Sequence, residues 1–187
     1  MNETIQFFTP SKGFASALGL MARQAFSDAF AHLYDPVPFM QFLEEAYGPS
    51  GKMERDLADP SIRWRVAAID GQPIGYAKVS PLVAAAPAPQ PGAMELQQIY
   101  VLRLWHGRGV ADELMNWAIY TARTEGAPEI YLAVFDHNVR AKRFYTRHGF
   151  SEVGRCTFKL GDRVDDDRVW QKPLTPNERN FATDYTK

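Results

Sequence analysis

Cysteine is nearly missing from this chain of 187 residues: Cys156 stands alone, so no internal disulfide can form, which fits a reducing cytoplasm. A charge excess of either sign is missing too. With 21 basic and 22 acidic side chains the formal charge is -1, so no global basic field exists to hold nucleic acid or an anionic membrane, and neither is expected as a partner. No apolar run approaches the roughly eighteen residues of a membrane span, and MNETIQFFTP lacks a basic leader region, so neither insertion nor secretion is expected. His32, His106, His137 and His148 are scattered without ligand spacing, so no metal is expected. No serine sits in a G-x-S-x-G elbow, no G-x-G-x-x-G is present, and Cys156 has no histidine close in sequence. These absences argue against hydrolase triads, dinucleotide-binding domains and covalent thiol catalysis.

What the chain does have is apolar residues, 45 % of the total, with 13 % aromatic. That suffices for one full core, so residues 1–174 are expected to form a single domain and the polar stretch 175–187 a tail. Ile5 to Thr9 reads as a strand and Ser11 as the N-cap of a helix running towards His32, which Asp35-Pro36 ends. Phe39 to Tyr47 places Phe39, Phe42, Leu43 and Ala46 on one helical face before Gly48-Pro49. Arg63 to Ile69 and Ile74 to Val79 are β-rich runs around Asp70-Gly71, which predicts a hairpin. Pro81 to Gly92, rich in alanine and proline, reads as a semi-rigid loop. Then follow a strand (Glu95 to Val101), a glycine loop, a helix (Gly109 to Thr124) carrying Val110, Leu114, Trp117 and Ala118 on one side, and a strand (Ile130 to Phe135). A helix over Asn138 to Arg147, stopped by Gly149, precedes two strands near Phe150 to Leu160 and Arg163 to Lys172. The fold class is α/β around a mixed, twisted sheet.

Two segments carry chemistry. In His106-Gly107-Arg108-Gly109-Val110-Ala111 (HGRGVA), small side chains ahead of a helix leave backbone amides exposed at the positive end of its dipole. That is an anion site suited to a pyrophosphate. Thirty residues on, NVRAKRFYTRHGF crowds Arg140, Lys142, Arg143 and Arg147 onto a helix in an otherwise neutral chain, as a ligand with several phosphates would require.

HGRGVA resembles the Q/R-x-x-G-x-G/A signature of the GNAT acetyltransferases, and NVRAKRFYTRHGF resembles their N-x-x-A-x-x-F-Y-x-x-x-G-F. MELQQIYV, the pattern F-x-L-G-D-x-x-x-x-D over Phe158 to Asp167, and AFSDAF and FLEEAY further upstream are similar to PaiA-type spermidine/spermine acetyltransferases, so the likeness covers about residues 5–174. It implies a GNAT fold, a mixed twisted sheet of about six to seven strands with helices on both faces. It also implies direct transfer of the acetyl group of acetyl-CoA to a small-molecule primary amine such as spermidine, often by a homodimer. By the same resemblance Glu95 is the general base, acting through a water, and Tyr145 is the acid for the departing thiolate. Asn138 and the backbone of Ile99, Tyr100 and Val101 hold the pantetheine arm, while the loop amides and cations such as Lys142 and Arg147 hold the phosphates. His106 stands where the family usually has glutamine or arginine, and Asp165, Asp166 and Trp170 stand where PaiA-type chains tend to carry glutamine, threonine and methionine. Asp28, Asp35, Glu44, Glu45 and Asp165 to Asp167 are the carboxylates available to a cationic acceptor. Two alternatives stand beside this reading: a non-catalytic acyl-CoA-binding regulatory module, which would need neither Glu95 nor Tyr145, and an acetyltransferase of protein N-termini or lysines.

Overall fold

The structure, a computed structural model, describes residues 4–174; the expected tail at 175–187 lies outside them. The chain runs β1 (Gln6–Phe8), a 3-10 turn (Lys12–Phe14), α1 (Ala15–Phe30), a second 3-10 turn (Ala31–Leu33), α2 (Pro36–Tyr47) and α3 (Lys52–Ala58). It continues with β2 (Arg63–Ile69), β3 (Gln72–Pro81), β4 (Met94–Val101), α4 (Val110–Thr124), β5 (Glu129–Phe135), α5 (Val139–Arg147), β6 (Ser151–Leu160) and β7 (Arg163–Pro173). The strands form one sheet in the order β1-β2-β3-β4-β5-β7-β6, and every pairing is antiparallel except β4 with β5.

Helices cover both faces of the sheet. On one face Val110, Leu114, Trp117 and Ala118 of α4 and Tyr145 of α5 pack with Leu96, Ile130, Leu132 and Trp170. On the other, Leu18 and Phe26 of α1 and Phe39 and Leu43 of α2 pack on Val66, Tyr76 and Leu160. The β2–β3 hairpin turns at Asp70 (φ 49) and Gly71 (φ 77), the two positive φ values of a type I′ turn, as Asp-Gly predicts.

Two expectations change. Asp35-Pro36 was read as the end of the first helix, yet Pro36 opens α2 with Asp35 as its N-cap, because proline lacks only an N–H that a helix start leaves unpaired anyway. Ser11 caps no helix through its side chain; its carbonyl instead closes the 3-10 turn at 2.9 Å from Phe14 N, and α1 begins at Ala15. The short α3 was not anticipated.

Lys78 on β3 is 3 % exposed, its ammonium bonded to the Asp56 carboxylate of α3 and 5.4 Å from the Trp64 ring centroid. Burial lowers the Lys78 pKa, and Asp56 opposes that shift. Removing one member of such a pair leaves the other buried and unpaired. Asp56→Ala should therefore cost about 3 kcal/mol of unfolding free energy in a urea titration, whereas Lys78→Met with Asp56→Leu should stay near wild type.

Candidate functional site

The parallel strands β4 and β5 are joined at only two positions, Met94↔Ile130 and Glu95↔Tyr131. Beyond them β4 remains paired to β3 through Val101, while β5 follows β7 for seven residues, so the two strands part and the sheet opens as a wedge. A bulge at Gln97 marks the parting, since the β3 partners Lys78 and Val79 match Gln98 and Leu96 and leave Gln97 unmatched. It also resets the alternation of β4. Met94 and Leu96 face α4 before the bulge, and Ile99 and Val101 face it after, while Tyr100 packs towards α1. Leu102 N donates to Ile74 O at 2.8 Å, so by alternation Tyr100 also points its backbone at β3, and Ile99 and Val101 point theirs into the wedge. Of the three residues expected to pair with a ligand, two have the orientation to do so.

The HGRGVA segment lies between β4 and α4. Gly107 (φ 75) and Gly109 (φ 81) are left-handed, a Cβ at either would meet no atom within 4 Å, and Gly109 caps α4 with no side-chain bond. The first amides of α4, from Val110 and Ala111, thus have no carbonyl one turn behind them and front an open cradle. By contrast, Asn138 Oδ1 accepts from Ala141 N at 3.0 Å and closes α5.

His106 is a strut. Its Nε2 lies 2.8 Å from Val101 O and its Nδ1 2.6 Å from Arg140, so the partners select the neutral tautomer with Nε2–H donating to the carbonyl and Nδ1 accepting. Burial, with Arg140 and Arg103 nearby, lowers its pKa. The Arg108 guanidinium lies over the Trp105 ring at 4.8 Å. The other expected cations are already engaged: Lys142 binds Asp136, and Arg147 lies 3.4 Å from Asp112 and over the Phe144 ring. Arg140, one of the four cations of the NVRAKRFYTRHGF cluster, is the α5 cation that reaches the loop.

Tyr145 is buried against Phe144, Phe150 and Trp170, and burial pushes its phenol up to about 12. Its hydroxyl makes no hydrogen bond among the described residues. Burial first, then the phenols of Tyr47 and Tyr145, the Asp167 carboxylate and Tyr34 push the Tyr100 phenol far up. Glu95, also buried, accepts Val83 N and Ala84 N on Oε2, each at 3.1 Å, and lines a cleft of about 560 Å³ with Lys78, Gln97 and Tyr47. Glu129 holds the other end of the same loop, accepting Gln90 N at 2.7 Å. The alanine- and proline-rich loop is therefore tied at both ends by carboxylates, which its composition alone did not reveal.

Over the wedge, the β6–β7 hairpin is latched to the end of α1. Asp165 binds the Tyr34 hydroxyl and Arg163 Nε, and Arg163 donates to Leu33 O at 2.9 Å. Asp165, Glu44 and Asp28 are thus engaged within the protein rather than left for an acceptor, Glu44 by Arg23 and Asp28 by Gln24. Among the described residues no three-member group of His, Cys, Asp or Glu could hold a metal ion, and no helix is long and apolar enough to cross a membrane.

The profile of the Acetyltransferase (GNAT) family matches residues 25–150. An uncharacterised N-acetyltransferase of Mycobacterium bovis is 32 % identical over 86 % of this chain and 97 % of its own, and one from Lactobacillus delbrueckii is 27 % identical over 82 % and 88 %. Among solved structures, the PaiA N-acetyltransferase of Thermoplasma acidophilum in complex with coenzyme A superposes with a TM-score of 0.73 at 19 % identity, covering 91 % of this chain and 99 % of that one. The seven-stranded mixed sheet with helices on both faces is accordingly the fold that the motifs predict.

The cradle is testable by itself. Gly109→Ala forces a side chain into a left-handed conformation with nothing to clash against, so it should lower the unfolding free energy by about 1–2 kcal/mol in urea while keeping a native circular-dichroism spectrum.

Proposed function

The chain belongs to the GNAT acetyltransferase family and is an acetyl-CoA-dependent N-acetyltransferase; we propose that its acceptor is a primary amine, with polyamines such as spermidine as the acceptor class. One observation supports the site best: the wedge-facing edge of β4 leads directly to the open amides of α4. In this reading the Ile99 and Val101 backbones pair with the pantetheine arm as an added strand would. The amides of Gly107 to Ala111 take the pyrophosphate, with Arg108 and Arg140 beside it. Asn138 keeps its oxygen in the cap of α5 and offers its NH2 to the arm. Lys142 and Arg147 act at longer range, through the charge of α5, because their own partners are Asp136 and Asp112.

The polyamine assignment rests on the MELQQIYV and Phe158-to-Asp167 resemblances together with the carboxylates around the wedge. The half-buried Cys156 has its thiol raised by burial and then by Asp167, Glu95 and Asp166, so it stays protonated and has no part as a nucleophile in this scheme. A lone reduced thiol fits a cytoplasmic enzyme.

Transfer is direct. An alkylammonium is neutral in about one molecule in 2,500 at pH 7, so the nitrogen must first lose a proton, to Glu95 through a water in this scheme. The free amine attacks the thioester carbonyl carbon, the C–N bond forms, the tetrahedral adduct collapses, and the C–S bond breaks. The nitrogen sheds its second proton as sulfur takes one. Tyr145, with its pKa near 12, remains protonated throughout the working range and can donate to sulfur as negative charge develops there. Complete transfer to a thiolate of pKa near 8.5 runs uphill by about 5 kcal/mol, so the donated hydrogen bond carries the stabilisation until the second nitrogen proton replaces the one given.

Tyr145→Phe keeps the ring contacts and removes only the donor. It should lower kcat by about 100-fold, within the usual range for a general acid, and leave the Kd for acetyl-CoA within about twofold. Thiol release with acetyl-CoA and spermidine, alongside calorimetric titration, reads both quantities; unchanged kcat would remove Tyr145 from the mechanism.

A further inference from the structure

Among the described residues two carboxylates near the wedge have no counter-ion, and while Glu95 is held by two backbone amides, Asp167 is held by nothing. On β7 it is paired with Phe135 of β5 on one side and Cys156 of β6 on the other. Because strand residues alternate, it shares a face with Asp165, but the two differ in their surroundings. Asp165 is held by Tyr34 and Arg163; Asp166 on the opposite face is held by Arg168 at 3.1 Å; Asp136 is held by Arg168 and Lys142. Asp167 is half-buried, and its carboxylate makes no hydrogen bond or ion pair among the described residues. The nearby cations Arg163, Arg168 and Lys142 are engaged by other carboxylates.

The surroundings of Asp167 are aromatic. Phe135, its β5 partner, has its ring 6.4 Å from Phe30 at the end of α1. The titratable groups near it are Tyr100 on β4, Cys156 on β6, Asp165 and Asp166 on its own strand, and Tyr34, which also lies near Arg163. Glu95 reaches the same Cys156 from β4, and Tyr34 and Tyr145 reach the same Tyr100 from the end of α1 and from α5. Of these only Arg163 is a cation, and Asp165 holds it. An unpaired carboxylate in such a place is costly in the free protein and becomes favourable only when a positive charge enters.

We propose that Asp167 receives the ammonium of the acceptor amine and positions it in the wedge, so that the acceptors are cations with apolar carbon next to the charged nitrogen, not neutral or anionic amines. This rests on the amine acetyltransferase reading above. Asp167 acts by ion pairing, and the proton still leaves the nitrogen by the route described for Glu95. Burial, then Asp165 and Asp166, push the Asp167 carboxyl up to about 6, so the sign of its pH dependence is fixed. Above that value it is ionised and binds the ammonium; as the pH falls through it, the carboxyl becomes neutral and the attraction is lost.

Steady-state thiol release with spermidine and with simple mono- and diamines tests this, with Asp167→Asn, Asp167→Glu and Asp166→Asn beside the wild type. Asp167→Asn should raise the acceptor KM about tenfold or more, with a smaller change in kcat and an unchanged Kd for acetyl-CoA. Asp167→Glu should restore part of the loss, and Asp166→Asn should have no effect on KM. Below about pH 6, log kcat/KM of the wild type should fall with pH by up to one unit of slope more than that of Asp167→Asn, and above it the two profiles should run parallel. Since the Asn variant removes an uncompensated charge, its Tm at pH 7.5 should equal or exceed that of the wild type. Turnover by the wild type with an unchanged KM and pH profile in Asp167→Asn would overturn this inference alone. Wild-type silence with every amine, despite acetyl-CoA binding, would overturn the amine acetyltransferase reading and this inference with it.

Discussion

The structure depends on a pairing that stops early. β4 and β5 are neighbours for two residue pairs and then separate, although each stays fully laddered on its far side. An interrupted parallel ladder leaves backbone N–H and C=O groups of the part-exposed Ile99 and Val101 without a strand partner. One of these groups is met from within the protein, where His106 turns back onto Val101 O. What remains is an unpaired edge, and from its end the chain runs through the Arg103–Trp105 turn and the glycine loop to the uncapped start of α4. The separation of the strands and the glycine loop are therefore one device.

Around that opening, charge is allocated to geometry. Glu95 and Glu129 hold the two ends of the 82–92 loop; the Glu129 hydrogen bonds to Gln90, Tyr131 and Gln171 outweigh the upward push of burial on its pKa. Asp165 and Arg163 fasten the β6–β7 hairpin to Leu33 and Tyr34, and Gly161 at the hairpin tip lies so close to Pro38 that a Cβ would come within 2.7 Å of it. Asp136 gathers Lys142 and Arg168. Among these carboxylates Asp167 stands out because its side chain has neither a cation nor a hydrogen-bond donor among the described residues. Glu95 holds the loop through Oε2 alone, so the base role proposed for it falls to Oε1.

Much of the fold was legible because local signals were strong. Asp70-Gly71 marked the hairpin, Arg63 to Ile69 is a strand in full, and Val110, Leu114, Trp117 and Ala118 form the buried stripe of α4. Asp35-Pro36 misled because the same dipeptide that stops one helix can start the next, and seven-residue α3 is too short to show a clear period. At the site, the glycine loop and the Asn138 motif could be read, since their geometry is local. The engagement of Lys142 by Asp136, the Glu95 grip on the loop and the Arg140–His106 contact join residues separated by 6, 11 and 34 positions, and only folding reveals them. Asp167 carried a weak signal: in a strand, three aspartates in a row must place the first and third on one face.

The central claim is that the open edge of β4 takes the extended arm of acetyl-CoA. Amide hydrogen exchange with and without the coenzyme tests it most directly, read residue by residue along β4. The Ile99 and Val101 amides should slow by at least about tenfold on binding, while Tyr100, already facing β3, should change little. Saturating acetyl-CoA that leaves Ile99 and Val101 exchanging at their free rates would contradict the account.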